Sequence, residues 1–170
     1  MKRIILICFF ICIGNTYAQE CGGLSLGFSG NYYNTSDDEA IVGLSGKINY
    51  KLNSNTSLGI MLKKGWGFGL FGATEHNAKW GEDINSLLEY NILYQYDLPD
   101  VLKGLSVGSG ISYITGKKDN ANRYSYLCLP VVLNIDIEIL EDLNFNIGIN
   151  SNLNNRIVFW GLDLGFSLNL

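Results

Sequence analysis

The sequence predicts an all-β protein, an eight-stranded antiparallel up-and-down transmembrane β-barrel. Three observations lead to this prediction. Apolar and polar residues alternate with a period of two over eight segments, each long enough for a tilted strand to cross a bilayer. Charged residues make up only 16% of the chain, against roughly 25% in ordinary soluble domains. Within the eight segments, nearly all charges lie on one of the two faces.

The first 18 residues are a predicted secretory signal peptide. A basic start is followed by an apolar run at residues 4–13, and the small residues Thr16 and Ala18 precede a cleavage site. The apolar run is too short to span a membrane as a helix. We therefore expect residues 1–18 to be removed, and residues 19–170 to form one barrel domain in the cell outer membrane.

The exported chain would be acidic and would keep two cysteines. The signal segment contains two of the 12 basic residues and none of the 16 acidic ones. No basic run longer than Lys117-Lys118 remains, so we expect no nucleic-acid partner. Cys21 and Cys128 would lie on distant strands, and we expect no disulfide between them.

The first four predicted strands cover residues 23–33, 41–52, 57–71 and 85–98. Each carries large apolar residues at every second position. In chain order these include Leu24, Leu26, Phe28 and Tyr32; Val42, Leu44, Ile48 and Tyr50; Leu58, Ile60, Leu62 and Trp66; and Leu88, Tyr90, Ile92 and Tyr94.

The last four predicted strands begin near residues 105, 123, 143 and 157, and the eighth runs to residue 170. Their apolar positions include Leu105, Val107, Ile111 and Tyr113; Leu127, Leu129, Val131 and Leu133; Leu143, Phe145, Ile147 and Ile149; and Val158, Trp160, Leu162 and Leu164. The first, third and fifth connections are longer and polar, whereas the second, fourth and sixth are short. Long outer loops over short periplasmic turns are typical of outer-membrane barrels.

Away from the strand ends, the apolar face carries one charged residue, Lys64. A charge that faces lipid at the midplane costs about 2–4 kcal/mol, so the apolar face is predicted to face lipid. We expect Lys64 to extend toward an interface or to lie beside a bulge. The barrel must close, because an open edge would leave backbone groups unpaired in hydrocarbon. A lipocalin-like barrel with an apolar interior is the soluble alternative, but it would need more Lys and Glu outside.

The opposite face holds the charges that we expect inside the barrel. Lys47, Lys63, Glu89 and Asp163 are predicted to form a satisfied ionic network that holds the barrel together, because an unpaired buried charge is costly. Eight strands enclose an interior that side chains can fill. We therefore expect a plugged interior and no channel.

Aromatic residues of the apolar face fall near the strand ends, at two levels. Tyr32, Trp66, Phe68, Tyr113 and Trp160 lie toward the long connections. A second group lies toward the short turns: Tyr50, Tyr94, Tyr96 and Phe166. Two levels of aromatic rings are typical of the two interfaces of a bilayer.

Two stretches resemble a known family. Residues 126–134, YLCLPVVLN, resemble a strand of small outer-membrane β-barrel proteins of the PorT-like and OmpA-like membrane-domain kind, and Pro130 should mark a bulge there. Asp163, Gly165, Leu168 and Leu170 resemble the C-terminal signal that the barrel-assembly machinery reads. The resemblance implies an outer-membrane lipid environment, this machinery as a partner during biogenesis, and an export or surface partner.

The sequence contains no recognisable catalytic or cofactor-binding constellation, so we expect no enzyme activity, no cofactor and no metal site. The leading interpretation is a structural or binding role at the cell surface, with contact loops around residues 37–39, 76–80 and 117–123. An accessory factor in protein export or surface assembly is the alternative. A lipid-modifying enzyme is a weaker one, because the single histidine, His76, has no serine placed near it.

Overall fold

The computed structural model describes residues 23–35, 40–67, 84–118, 123–154 and 158–170. These residues form eight antiparallel strands whose neighbours in sequence are neighbours in space. The strands are β1 (Leu24–Thr35), β2 (Ala40–Lys51), β3 (Thr56–Gly67), β4 (Ile84–Asp97), β5 (Leu105–Lys118), β6 (Arg123–Leu140), β7 (Leu143–Leu153) and β8 (Val158–Asn169). No helix in this part of the chain is long and apolar enough to cross a membrane.

The barrel closes where β1 pairs with β8, from Ser25 opposite Asn169 to Thr35 opposite Phe159. The last backbone bond of this seam runs from the Leu170 N–H to the Leu24 carbonyl. Because every strand has two neighbours, the wall has no open edge strand. The predicted fold class, a closed eight-stranded antiparallel barrel, is confirmed.

The barrel has two distinguishable ends. The terminal end is where Gly23 and Leu170 lie, together with the turns after β2, β4 and β6. Gly104 in the β4–β5 turn has a φ of 83°, a left-handed conformation that favours glycine. The loop end is the opposite one, where β1, β3, β5 and β7 finish.

The apolar face of the strands lies on the outside of the barrel. Leu127 is 71% exposed, Ile60 63% and Phe28 61%, and large apolar side chains of all eight strands are exposed. This result confirms the predicted direction of the two faces and excludes the lipocalin-like alternative, which requires the apolar face inside. Lys64 is exposed on this outer face, with its ammonium 5.3 Å from the centroid of the Trp66 ring.

The structure corrects the prediction for Pro130. The β5–β6 pairing keeps one register on both sides of it, from Ser109 opposite Val131 to Ser112 opposite Cys128, so no residue is inserted. Pro130 has no N–H to donate, and the ladder is interrupted at this point. Its carbonyl accepts a hydrogen bond from the Ser109 hydroxyl at 2.8 Å. The Ser109 hydroxyl thus satisfies the Pro130 carbonyl where the ladder is interrupted, and the wall has no bulge at this point.

The strands extend into the contact loop predicted around residues 117–123, because β5 ends at Lys118 and β6 begins at Arg123. Gly116 still pairs with Tyr124, and Lys117 pairs with Arg123. The Tyr124 hydroxyl reaches across β5 to donate to the Ser86 carbonyl at 2.9 Å. A Cβ at position 116 would collide with this ring, so the glycine permits the strands to continue.

Several sequence-based predictions lie outside the described residues. They are the signal peptide at residues 1–18, Cys21, Phe68, the loop at residues 37–39, the loop at residues 76–80 with His76, and residues 119–122.

Candidate functional site: the interior of the barrel

An apolar cluster fills the interior at the loop end. The loop-end cluster consists of Tyr33, Ile41, Leu87, Ile114, Tyr124, Cys128 and Phe159, with Tyr126 packed against it. These side chains point inward from β1, β2, β4, β5, β6 and β8, because they share the parity of the polar inner face. Tyr33, Ile41, Ile114 and Phe159 are at most 1% exposed. The barrel is therefore closed by packed hydrocarbon at this end.

An ion pair lies beneath this cluster. The Lys63 ammonium is 3.2 Å from Oδ2 of Asp163, and the two residues face each other across the barrel from β3 and β8. Asn31 donates its amide to Oδ1 of the same carboxylate at 2.5 Å. The Lys63 ammonium also lies 4.8 Å from the centroid of the Tyr33 ring. Asp163 therefore has one partner for each carboxylate oxygen.

A second buried carboxylate, Glu89, has a different environment. Its Oε1 accepts hydrogen bonds from the Asn91 amide at 2.7 Å, the Asn152 amide at 3.0 Å and the Ser112 hydroxyl at 3.5 Å. Asn91 and Ser112 belong to β4 and β5, whereas Asn152 reaches in from β7. Glu89 is only 1% exposed and forms no salt bridge with any described residue.

The terminal half of the interior is only partly filled. Met61, Leu93 and Val132 form a small buried cluster below the ion-pair level. Beyond it lies a cavity of about 370 Å³ at the barrel mouth, continuous in its lining with a deeper space of about 80 Å³. We call these two spaces the terminal vestibule. Its lining is polar and includes Lys47, Lys51, Asp97, Asp136 and several carboxamides.

The four residues predicted to form one network occupy three different environments. Lys63 and Asp163 are paired, Glu89 is bonded to neutral groups, and Lys47 lines the vestibule without a salt bridge to any described residue. The assembly-signal residues divide between the faces of β8. Asp163 and Gly165 point inward, whereas Leu168 and Leu170 are exposed.

The sequence prediction missed the neutral partners of the carboxylates and the loop-end cluster. Asn31, Asn91, Ser112 and Asn152 share the inward parity of the charged residues, which is the signal that could have identified them. The residues of the loop-end cluster could not be identified in this way, because they are apolar residues at positions of an otherwise polar face. These residues lie at the same level along the barrel axis, near the loop end of six strands. Only this shared level shows that they pack into one cluster.

The described residues contain no group of three His, Cys, Asp or Glu side chains that could hold a metal ion. Cys128 is a buried free thiol whose sulfur accepts a hydrogen bond from the Asn154 amide at 3.3 Å.

The fold defined by these strands is that of small outer-membrane barrels. The outer membrane protein OprG from Pseudomonas aeruginosa superposes with a TM-score of 0.60 at 12% identity, covering 88% of this chain and 96% of that one. The N-terminal β-barrel domain of Pseudomonas aeruginosa OprF gives a TM-score of 0.56 at 13% identity, covering 88% and 99%. Ail of Yersinia pestis, in complex with the heparin analogue sucrose octasulfate, gives 0.52 at 11% identity, also covering 88% and 99%.

No protein-family model matches the chain, and no curated protein matches it in sequence. At these identities the likeness concerns the fold.

Proposed function

We propose that this chain is a small outer-membrane barrel with a structural or binding role at the cell surface, and that it neither conducts solutes nor catalyses a reaction. The observation that carries the proposal is the combination of an apolar outer belt with a closed interior. A soluble monomer rarely exposes a continuous apolar surface of this kind, whereas lipid would cover it. The loop-end cluster and the ion pair block the axis at two levels.

The aromatic residues support a lipid environment for the belt. Tyr32, Trp66 and Trp160 are exposed on the outer surface near the loop end. Tyr50, Tyr96 and Phe166 are exposed near the terminal end. Rings at the two rims of an apolar belt match the two interfaces of a bilayer. We propose that the terminal end faces the periplasm and that the loops face outward as the contact surface.

Epitope insertion tests this placement. A tag inserted in the fifth connection, between residues 120 and 121, should be labelled by antibody on intact cells. The matched control is the same tag after Ser54, in the terminal-end turn between β2 and β3, which should be labelled only after the outer membrane is permeabilised. Labelling of neither tag before permeabilisation, or the reverse pattern, would contradict the placement.

The closed interior is tested separately in planar bilayers. The purified protein should run at different positions on a gel when boiled and unboiled, and the folded form should show no stable channel conductance. A large and stable conductance would contradict the proposal, because it would require a path past Lys63 and the loop-end cluster. An unchanged gel position after boiling would count against a stable barrel.

The charge of the chain limits the class of surface partner. The full sequence has a formal net charge of −4, and the first connection, residues 36–39, contains three acidic residues. We therefore propose a neutral or basic partner and not a sulfated polyanion of the kind bound to Ail.

The second candidate is an accessory role in protein export or surface assembly. It rests on the PorT-like stretch at residues 126–134, which lies within β6. Deletion of the gene should then reduce the amount of secreted or surface-anchored protein. Normal secretion in the deletion strain would eliminate this role and leave the surface-binding role standing.

We also propose that Asp163, Gly165, Leu168 and Leu170 serve as an assembly signal. Leu168→Asp combined with Leu170→Asp should reduce the folded fraction in the outer membrane while leaving refolding in detergent intact. Equal losses in cells and in detergent would indicate a defect of the barrel itself and not of its recognition.

A further inference from the structure

Glu89 is surrounded by oxygen atoms that have no hydrogen-bond donor. Its second carboxylate oxygen, Oε2, has no hydrogen-bond partner among the described residues. The same is true of Oδ1 of Asn91 and Oδ1 of Asn152. All three residues are at most 2% exposed. Buried polar atoms are nearly always paired, so three unpaired acceptors in one place require an explanation.

The orientation of both amides follows from the chemistry of the carboxylate. Asn91 and Asn152 each donate Nδ2 to Oε1 of Glu89, at 2.7 and 3.0 Å. An ionised carboxylate only accepts hydrogen bonds, so turning either amide would place oxygen against oxygen. The dimensions of an amide then put each Oδ1 within about 5 Å of Oε1. The charged carboxylate therefore has two unpaired amide oxygens as close neighbours.

No basic side chain among the described residues forms an ion pair with this carboxylate. Lys63 is opposite Glu89 in the β3–β4 ladder, but its ammonium pairs with Asp163 instead. Lys47 lines the terminal vestibule. The buried charged side chains of the described residues are thus one basic and two acidic ones, Lys63, Glu89 and Asp163. An unpaired charge in a buried site is strongly destabilising.

We propose that Glu89, together with Asn91 and Asn152, binds one monovalent alkali cation, sodium or potassium, inside the barrel. A single carboxylate balances a single positive charge, and amide carbonyl oxygens can replace the hydration shell of such an ion. A divalent ion fits less well, since calcium takes six to eight oxygen ligands, commonly from several carboxylates. Asn150 lies two residues from Asn152 on the same inward face of β7, and neither its Oδ1 nor its Nδ2 has a hydrogen-bond partner among the described residues. It is the candidate for a further ligand.

The test is the dependence of stability on the identity of the salt. The purified full-length barrel, folded in detergent, is unfolded by heat in sodium, potassium or choline chloride at equal concentration. A cation that binds only the folded state raises its stability by mass action. We expect a midpoint about 3–6 °C higher in sodium or potassium chloride than in choline chloride, at a concentration ten times the dissociation constant. Equilibrium dialysis against the preferred cation should give one bound ion per chain.

Two variants make the test specific. Glu89→Gln keeps the size of the side chain and removes its charge, so the midpoint should no longer depend on the salt. Glu138→Gln removes a carboxylate at the exposed Lys103 pair and should retain the full dependence.

Equal midpoints of the unsubstituted protein in all three salts would overturn the proposal. So would a salt dependence that Glu89→Gln leaves intact, because the cation would then act elsewhere. If Glu89→Gln does not fold, dialysis of the unsubstituted protein decides alone. A salt-independent midpoint together with an infrared band of a protonated carboxyl would assign a proton, and not a metal ion, to this site.

Discussion

The two halves of the barrel interior are built from different side chains, although the same eight strands form both. At the loop end, inward positions carry Tyr33, Leu87 and Phe159, which pack into a dry cluster. At the terminal end, inward positions of the same strands carry serine, asparagine, lysine and aspartate, which line a hollow of about 370 Å³. The interior of the barrel is therefore blocked mainly at one end, because side chains fill the loop half as far as the barrel axis and leave a cavity in the terminal half.

The boundary between the halves is the level of the buried charges. Lys63 and Asp163 lie beneath the loop-end cluster, where Lys63 is 1% exposed and Asp163, at 8%, borders the deeper space of the vestibule. Charges at the terminal mouth, such as Lys51 and Asp136, remain exposed. The same residue types should therefore have very different effects on stability at the two levels. The following predictions test this contrast by urea unfolding of the barrel in phospholipid vesicles, followed by tryptophan fluorescence.

The largest effect is expected at the buried ion pair. Lys63→Met removes the ammonium and leaves Asp163 buried with only an amide partner, which should lower the free energy of unfolding by about 3–5 kcal/mol. The control, Lys51→Met, removes an exposed lysine of the inner face and should change it by less than about 0.5 kcal/mol. Equal losses in the two variants would mean that the interior is wet at both levels.

A slightly smaller effect is expected in the loop-end cluster. Leu87 is 2% exposed, and Leu87→Ala should lower the free energy of unfolding by about 2–4 kcal/mol through lost burial and a residual cavity. Asn144→Ala in the vestibule lining serves as the comparison and should be nearly neutral. A loss below about 1 kcal/mol at Leu87 would show that the cluster is loosely packed.

A glycine of the wall should show an intermediate effect. In Gly116→Ala, the new Cβ would collide with the Tyr124 ring and the Ser86 carbonyl, costing about 1–3 kcal/mol through overpacking. Gly46→Ala is the matched control, because Gly46 faces outward and a Cβ there meets no atom within 4 Å. If Gly46→Ala were the more harmful of the two, the assigned position of the Tyr124 ring would be wrong.

The smallest effect is expected at the terminal rim. Lys103 and Glu138 form a salt bridge at 3.3 Å, with side-chain exposures of 90% and 55%. Glu138→Gln should lower the free energy of unfolding by less than about 1 kcal/mol, because water screens the pair. The small change should diminish further in high salt. A loss comparable with that of Lys63→Met would remove the distinction between the buried and the exposed level.

The sequence by itself determined the fold class and the direction of the two faces. A strand turns alternate side chains to opposite sides, so the period of two identified the strands and their outer surface without any knowledge of pairing. The near absence of charge on one face can be read from the order of residues along each strand alone. For this reason the eight strands, the closed barrel and the exposure of Ile60 or Phe28 could all be predicted.

Only the tertiary structure decided which inward residues meet. Lys63 and Asp163 are 100 positions apart in the sequence. The stagger of the strands around the closed barrel determines which carboxylate lies close enough to pair with the lysine. Parity places Glu89, Asn152 and Phe159 on the inner face, but it does not give their height. The register fixed that height, and with it the division into a sealed loop half and an open terminal vestibule.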